Sequence, residues 1–426
     1  MDYDDIELLT PRRRRLLTWV AGVALLLAGA AIALHLLGRA RLDELRGELR
    51  RHGPDEPTAF APTVAAPSAN AARTFLAVAA DLETPADELP ALSEARRNRP
   101  TSWSPETWSA VDRHLTLNAA VLARLHRAAQ LLGGGLGLDY SRFNPTGIEP
   151  PWDLISAGRL LEMESHAALL EGDVEAAVAA VDTLGRLVAL LHAEPDPTLQ
   201  IIALDAGGAQ LRVVRELVAA GAAGDLHPRL THALAATADR GAVARAVRRQ
   251  IAFFVGDDGG RLARSIGRQA GGVWWPASWL AGELLLAEGL AGRAALARVD
   301  QLAYPQLAAA VGAATSELPL GPFEGIHVEL QAVALKAAAA AASRQLADLA
   351  LALAVAGERD GSYPADLPDH PAATTPDPLT ATLPRYQLTA DGSARLSLDA
   401  AEAKAGSEGS LAALPFVWEL PAPRPR

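Results

Sequence analysis

The sequence LLTWVAGVALLLAGAAIALHLL, residues 16–37, contains 22 residues and no Asp, Glu, Lys or Arg. About 20 apolar helical residues are enough to cross the hydrocarbon core of a bilayer. Trp19 lies near one end, where aromatic side chains meet the membrane–water interface, and Leu25, Leu26 and Leu27 lie in the centre. The stretch therefore predicts a transmembrane helix that anchors the chain.

A cleaved signal peptide is the alternative, because it also places basic residues before an apolar run. Its apolar region spans only about 7–15 residues, whereas this run is longer and continues into further helical sequence. The cluster Arg12, Arg13, Arg14 and Arg15 precedes the run and favours a cytoplasmic N-terminus, although five arginines also follow the run by residue 51. We therefore expect a single-pass inner-membrane protein with most of the chain in the periplasm or outside the cell.

Charge and cysteine content exclude several function classes. The first 51 residues carry nine Arg and seven Asp or Glu, a net charge of +2. The whole chain carries −11, so the remaining 375 residues carry −13, which disfavours a nucleic-acid partner. The chain has no cysteine. Disulfides, a thiol nucleophile and Cys-ligated metal or iron–sulfur sites are thereby excluded.

Proline and glycine divide the chain into segments. Pro54, Pro57, Pro62 and Pro67 predict an extended linker at 53–69. This linker implies that the anchor tethers a separately folded domain and adds nothing to its core. The predicted organisation is a cytoplasmic tail (1–15), a transmembrane helix (16–37), a stalk and linker (38–69), a helical-hairpin domain (70–322), a long helix plus β-hairpin module (323–400) and a tail (401–426).

The helices of the predicted body have recognisable starts. Asn70 is a good N-cap, and Ser104 followed by Pro105 predicts a second helix that runs to about Leu125. The segment Trp152–Leu191 predicts two helices around Glu171-Gly172-Asp173, with Asp173 as an N-cap. So short a turn makes the two helices antiparallel neighbours, in a hairpin similar to a tetratricopeptide unit. Looser helical patterns follow over 200–219 and 230–254.

The C-terminal part has a different pattern. Residues 328–356 predict one long Ala-rich helix, and Asp391-Gly392 between alternating runs predicts a β-hairpin. After Ala401 the sequence is typical of a tail, from which Phe416–Trp418 could dock. The predicted fold is thus mainly α, with a single N-terminal transmembrane helix, a helical-hairpin array and a small C-terminal α+β segment.

Two stretches resemble known families. Residues 70–254 resemble uncharacterised bacterial membrane-anchored helical proteins, through Asn70-Ala71-Ala72, Leu138-Asp139-Tyr140-Ser141, Glu171-Gly172-Asp173, Glu194-Pro195 and Thr198-Leu199. That resemblance implies architecture and location, and no activity. Residues 346–398 look like the post-helix region of type II secretion pseudopilins, through Asp360-Gly361-Ser362-Tyr363-Pro364-Ala365-Asp366-Leu367, Asp377-Pro378-Leu379-Thr380 and Tyr386. It implies a pseudopilin-like terminal module.

Two motifs suggest bound ions or phosphates. Glu162, Glu164 and His166 fall within one helix, and a His with two carboxylates suits zinc or iron. The spacing is not that of a known metal motif, so a structural or solvated role is favoured. The glycines at 133–137 match no phosphate-loop pattern, so a helix terminator is favoured there. We expect no cofactor.

Three further features have both a structural and a functional interpretation. Asp257-Asp258-Gly259 and Asp360-Gly361-Ser362 lack the spacing of a calcium loop, so turns are favoured. Trp274, Trp275 and Trp279 form a candidate interaction surface for a membrane, a glycan or a partner helix, with burial in a core as the favoured alternative. No Ser/His/Asp triad is recognisable.

These observations predict a membrane-tethered extracytoplasmic protein that binds another envelope protein. One alternative is an accessory component of a type II secretion or pilus-like assembly, using the C-terminal module. The other is a hydrolase with an unrecognised site, for which Glu162 and His166 are the named candidates.

Overall fold

The computed structural model describes residues 11–142, 151–222, 225–256, 324–379, 381–398 and 414–423. These residues form a mainly helical protein with a small antiparallel sheet near the C-terminus, as the sequence predicts. The helices are α1 (Pro11–His52), α2 (Ala71–Ala79), α3 (Leu89–Arg97), α4 (Pro105–Leu117), α5 (Ala119–Ala129), α6 (Asp153–Leu170), α7 (Val174–His192), α8 (Pro197–Ala219), α9 (His227–Ala233), α10 (Arg240–Val255), α11 (Glu324–Asp360) and α12 (Pro371–Thr374).

Side-chain caps set the starts of the helices. Asn70, Ser104 and Asp173 each accept a backbone N–H of the first turn, which confirms the three predicted caps. Asp196 and Asp239 cap α8 and α10 in the same way. A side-chain oxygen at this position satisfies an amide that has no partner within the helix.

The helical hairpin of α6 and α7 is confirmed, and Gly172 makes its turn. Gly172 has φ +82°, a conformation that glycine adopts without strain. The next helix, α8, packs on both α6 and α7. Helix α11 packs on α8, so the centre of the body is a layered arrangement of long helices.

Two predicted helices are each divided in the structure. Asn118 separates α4 from α5, and its side chain bonds the backbone of Glu83 and of His114. The pattern predicted for 230–254 becomes α9, a 3-10 turn (Leu234–Ala236) and α10. Both breaks are too short to interrupt the hydrophobic periodicity of the sequence, so the pattern predicts one continuous helix in each place.

Helix α1 has two contrasting halves. In the predicted anchor, Trp19, Leu25, Leu26 and Leu27 are between 67 and 75% exposed. Beyond it, Leu42, Leu45 and Leu49 are buried against α10 and α11 in one hydrophobic cluster. Arg46 donates to the carbonyl of Val255, at the end of α10, at 2.5 Å. None of residues 16–37 is buried, so the anchor itself lies outside the core, whereas the stalk that follows it joins the core through leucines that recur on one face of α1.

The predicted linker is held against the body. The amide of Gly135 donates to the carbonyl of Thr63 at 3.0 Å, and Phe60 packs against the cluster that contains Leu45. A Cβ atom on Gly134 would lie 2.7 Å from the Cβ of Ala65, and one on Gly135 would lie 2.5 Å from the ring of Pro62. The glycines at 133–137 thus let two backbone segments approach closely.

The C-terminal sheet has the order β1 (Arg385–Leu388), β2 (Ala394–Ser397) and β3 (Val417–Leu420), all antiparallel. The β1–β2 hairpin at Asp391-Gly392 is the predicted one. The third strand lies in the predicted tail, where Trp418 is fully buried. The docking of Phe416–Trp418 is thus confirmed, whereas the assignment of these residues to a tail is wrong, because Trp418 pairs with Leu396 of β2 and joins the core.

Helix α11 and the sheet share one core with α7, α8 and α9. Leu346, Leu349 and Leu353 of α11 are fully buried beside Leu211 and Leu217 of α8. The predicted division between 70–322 and 323–400 is therefore not a division between two cores. Helices α1 and α11 are both long and apolar enough to cross a membrane, but the apolar part of α11 is mostly enclosed by the body.

Candidate functional site

The three candidate metal ligands of α6 lie in two different places. Glu162 and His166 are buried between α6 and α8, whereas Glu164 lies at a surface groove beside His126 of α5. Among the described residues, no three acidic or histidine side chains lie close enough to hold a metal ion. The structure thus gives these residues the structural roles that their spacing favoured.

Glu162 forms a buried ion pair with Arg212 of α8. The Nε and Nη2 atoms of Arg212 donate to the two carboxylate oxygens at 2.5 and 2.8 Å. Burial would raise the pKa of Glu162, but the charge and hydrogen bonds of Arg212 outweigh it and lower that pKa. Glu162 is therefore an anion that is already fully engaged, and it is unsuited to general acid or base chemistry.

Further charges extend this pair along the α6–α8 interface. Upstream, Arg159 of α6 lies 3.9 Å from Asp205 of α8, measured from Nε to Oδ2. Downstream, Arg99 donates to Glu216 of α8 at 3.0–3.2 Å and reaches Glu419 of β3 at 3.4 Å. We name this row the charged seam, and it consists of Arg96, Arg99, Arg159, Glu162, Asp205, Arg212 and Glu216.

His166 lies in the wall of the charged seam as a neutral side chain. Its ring packs edge-on against Trp103, with 6.0 Å between the ring centroids. Its Nε2 atom is enclosed and has no hydrogen-bond partner among the residues that the structure describes. Burial lowers the pKa of His166 to about 4, so the ring is uncharged at neutral pH.

A surface groove of about 670 Å³ lies between α5, α7 and α9. Its floor is formed by alanines of α7 and of the α9 region, and its rim carries ionisable side chains. The rim residues include His126, Glu164, Asp182, Arg186, Arg229 and His232. Arg186 donates to the carbonyls of Leu131 and Leu132, and Arg229 pairs with Asp182 at 2.6 Å.

Within the groove, a hydrogen-bonded chain joins three helices. His126 of α5 contacts Glu164 of α6 through Nε2 at 3.0 Å, and Thr183 of α7 through Nδ1 at 2.8 Å. A carboxylate only accepts, so Nε2 carries a proton. The order hydroxyl, imidazole, carboxylate is that of a nucleophilic triad, which sequence reasoning had no signal to find because the three residues are far apart in the chain.

Two observations assign the hydrogen-bonded residues His126, Glu164 and Thr183 a structural role. Thr183 is 3% exposed, and the carbonyl of Ala179, one turn earlier at 3.0 Å, competes with the His126 ring for its single hydroxyl proton. It lies within α7, where the backbone amides are already used by the helix, so no amide pair is available to stabilise an oxyanion. These three side chains therefore link α5, α6 and α7 through hydrogen bonds.

A second buried polar cluster holds residues 133–142 against the body. Glu194 accepts the amide of Leu136 and the hydroxyl of Tyr140. Arg249 of α10 lies over the Tyr140 ring at 5.3 Å from its centroid and donates to the carbonyl of Arg142. Burial raises the pKa values of both Glu194 and Tyr140. The cluster positions this backbone segment against the body.

The remaining candidates are dispersed. Asp360 pairs with its neighbour Arg359 at 2.6 Å at the end of α11, as a turn residue would. Asp257-Asp258-Gly259 and the three tryptophans Trp274, Trp275 and Trp279 lie outside the described residues. Of the basic anchor residues, Arg15 is exposed, and the backbone of Arg12–Arg14 is helical.

Comparison with known proteins gives no relative for the chain. No family model matches it, no curated protein matches it, and no solved structure matches it. The resemblances in the sequence therefore remain predictions, and the function is inferred from the chain's own geometry.

Proposed function

We propose that this protein is a single-pass, membrane-tethered helical protein whose body binds another protein of the cell envelope. The observation that carries the proposal is the contrast within α1. Residues 16–37 are apolar and carry exposed leucines, while the same helix is buried in the body from Leu42 onward. An exposed apolar helix of this length is unfavourable in water and matches the thickness of a bilayer core.

The groove is the surface that we assign to the partner. It is open to solvent, has a floor of small side chains, and lies on consecutive helices of the hairpin body. Small side chains let a partner's backbone or helix approach closely, and the ionisable rim provides hydrogen bonds that select an orientation. The internal bonds of His126 and Arg229 hold the rim in place before a partner arrives.

The absence of cysteine makes the tether and its orientation directly testable. Single-cysteine variants Thr10→Cys and Ser93→Cys place one thiol before the anchor and one on exposed α3. In spheroplasts, a membrane-impermeant maleimide is expected to label Ser93→Cys at once and Thr10→Cys only after lysis. The reverse pattern overturns the orientation, and release of the chain by an alkaline carbonate wash overturns the tether.

A cross-linking residue at Ala179, on the groove, tests the binding role in living cells. We expect a discrete adduct of defined mass from Ala179, and none from the matched exposed position Ser93 on α3. An adduct pattern identical at the two positions would remove the groove from the proposal and leave the tether unaffected.

A second candidate function is an accessory role in a type II secretion or pilus-like assembly. It is favoured by the arrangement of a 37-residue helix followed by an antiparallel sheet that packs on it. Because the body encloses most of the apolar part of α11, the outer sheet surface is the part left to make contacts. Arg395→Glu on that surface, where Arg395 of β2 is exposed and faces Gln387 and Glu419, should abolish secretion without lowering protein abundance. Unchanged secretion counts against this role.

A further inference from the structure

Arg96 of α3 is a half-buried cation on which the carboxylates of Glu162 and Asp205 act through their charge. Within the described part of the chain, no hydrogen bond or ion pair joins its guanidinium to another residue. Its Nε atom is enclosed by protein and has no acceptor among these residues. Burial, followed by the charge of Arg159, lowers the pKa of Arg96. A desolvated charge without a partner is unfavourable, so the native environment of Arg96 is incomplete.

Arg159 presents a second guanidinium at the same place. In the described ranges, the Nε atom of Arg159 is also enclosed without a hydrogen-bond partner, because the carboxylate oxygen of Asp205 with which it pairs is 3.9 Å away. The two arginines lie on different helices, α3 and α6, that pack together through Ala95 and Met163. The charge of Arg159 acts on Arg96, so the two guanidinium groups lie within electrostatic range of each other on neighbouring helices.

The charges around Arg96 do not balance. The ionised groups that act on it are Arg159, Arg212, Glu162 and Asp205. Arg212 occupies both oxygens of Glu162, which leaves Asp205 as the nearby carboxylate for two arginines. The group therefore has one positive charge in excess, within a body that is acidic over most of its length.

We propose that Arg96 and Arg159 bind a singly charged oxyanion, either a carboxylate or a phosphodiester group of a ligand. Guanidinium groups bind such planar or tetrahedral oxyanions through paired, charge-assisted hydrogen bonds. A single negative charge completes the balance, whereas a doubly charged phosphate would exceed it by one negative charge. This site lies outside the groove assigned to a protein partner and is independent of that assignment.

The full chain in a nonionic detergent provides the test. Its thermal unfolding midpoint is measured against dihexanoyl phosphatidylglycerol, a phosphodiester, and against sodium butyrate, a carboxylate, with sodium chloride at equal ionic strength as reference. We expect at least one probe to raise the midpoint beyond the chloride series. Loss of one charge-assisted contact in Arg96→Gln or Arg159→Gln should weaken the apparent affinity roughly tenfold.

The neighbouring Arg97→Gln is the matched control, because Arg97 is exposed and bonds only within α3. It should retain the native affinity. A response to the phosphodiester alone indicates a lipid head group, a response to the carboxylate alone indicates an acid, and a response to both indicates recognition of the oxyanion itself. No response beyond chloride overturns the proposal, as does an equal loss of affinity in Arg97→Gln.

A measurement without ligand protects the test against a variant that fails to fold. If Arg96 lacks a partner in the free protein, Arg96→Gln should have an unfolding midpoint at or above that of the native chain. A large decrease of the midpoint in the absence of ligand would show that Arg96 already has a structural partner and would refute the site.

Discussion

Replacing Glu162 by Gln removes the negative charge that faces Arg212 inside the body. Glu162 is 2% exposed and Arg212 is 9% exposed, and two hydrogen bonds of 2.5 and 2.8 Å join them. Removing one member of a buried pair leaves the other charge uncompensated, which costs about 3–5 kcal/mol. The Gln oxygen still accepts one hydrogen bond, so we expect a loss of about 3 kcal/mol, or a factor of roughly 10² in the folding equilibrium.

Thermal unfolding of the full chain in detergent, followed by tryptophan fluorescence, measures this loss. The control is Asp182→Asn, which breaks the exposed Arg229–Asp182 pair and should cost about 0.2–1 kcal/mol. The double variant Glu162→Leu with Arg212→Met leaves no charge unpaired and should recover most of the stability. The reasoning fails if Glu162→Gln costs no more than the control, or if the double variant is no more stable than Glu162→Gln.

Three further predictions test other parts of the molecule. The pKa of His166 is about 4 in the folded protein and 6.5 ordinarily, so the unfolded chain takes up the proton first and the free energy of unfolding falls by about 3 kcal/mol as the pH drops from 6.5 to 4. His166→Leu should remove this part of the pH dependence of the unfolding midpoint. An unchanged pH dependence contradicts the prediction. Leu45→Ala should weaken the docking of α1 on the body by about 2–5 kcal/mol and should therefore speed tryptic cleavage after Arg46. Gly47→Ala, at an exposed position of the same helix, should leave the cleavage rate unchanged. Equal cleavage rates in the two variants would show that Leu45 does not dock α1. A Cβ on Gly185 would lie 2.5 Å from the carbonyl oxygen of Ala233, so Gly185→Ala should lower stability by about 1–3 kcal/mol in thermal unfolding, and a neutral result would show that α9 moves freely.

Local sequence signals predicted the elements that depend on local bonds. The caps Asn70, Ser104 and Asp173 act on amides two or three residues away, so their effect is visible in a short window. Asn118 could not be interpreted this way, because its decisive partner is the backbone of Glu83, 35 residues upstream. The same limit applies to Trp418, whose strand forms only beside β2.

The candidate site was harder to predict than the fold. The i,i+4 spacing of Glu162 and His166 predicts that the two side chains lie on the same face of α6, and they do. Their buried surroundings could not be predicted, because the partner of Glu162 is Arg212, fifty residues away in the chain. The docking of α1 had a signal that was readable in advance, since Leu42, Leu45 and Leu49 recur at helical spacing. The prolines from residue 54 onward predict a linker, but they begin only after this docked face has ended.

The uninterrupted course of α1 from Pro11 to His52 has a mechanical consequence. With about 1.5 Å of rise per residue, its 42 residues span about 63 Å, and the docked part is fixed to α10 and α11 without an intervening loop. The body and the exposed half of α1 therefore rotate together as one rigid unit. A sideways pull of a few ångströms on the body would tilt the apolar half through the same angle, and the protein could transmit force across whatever surface holds residues 16–37.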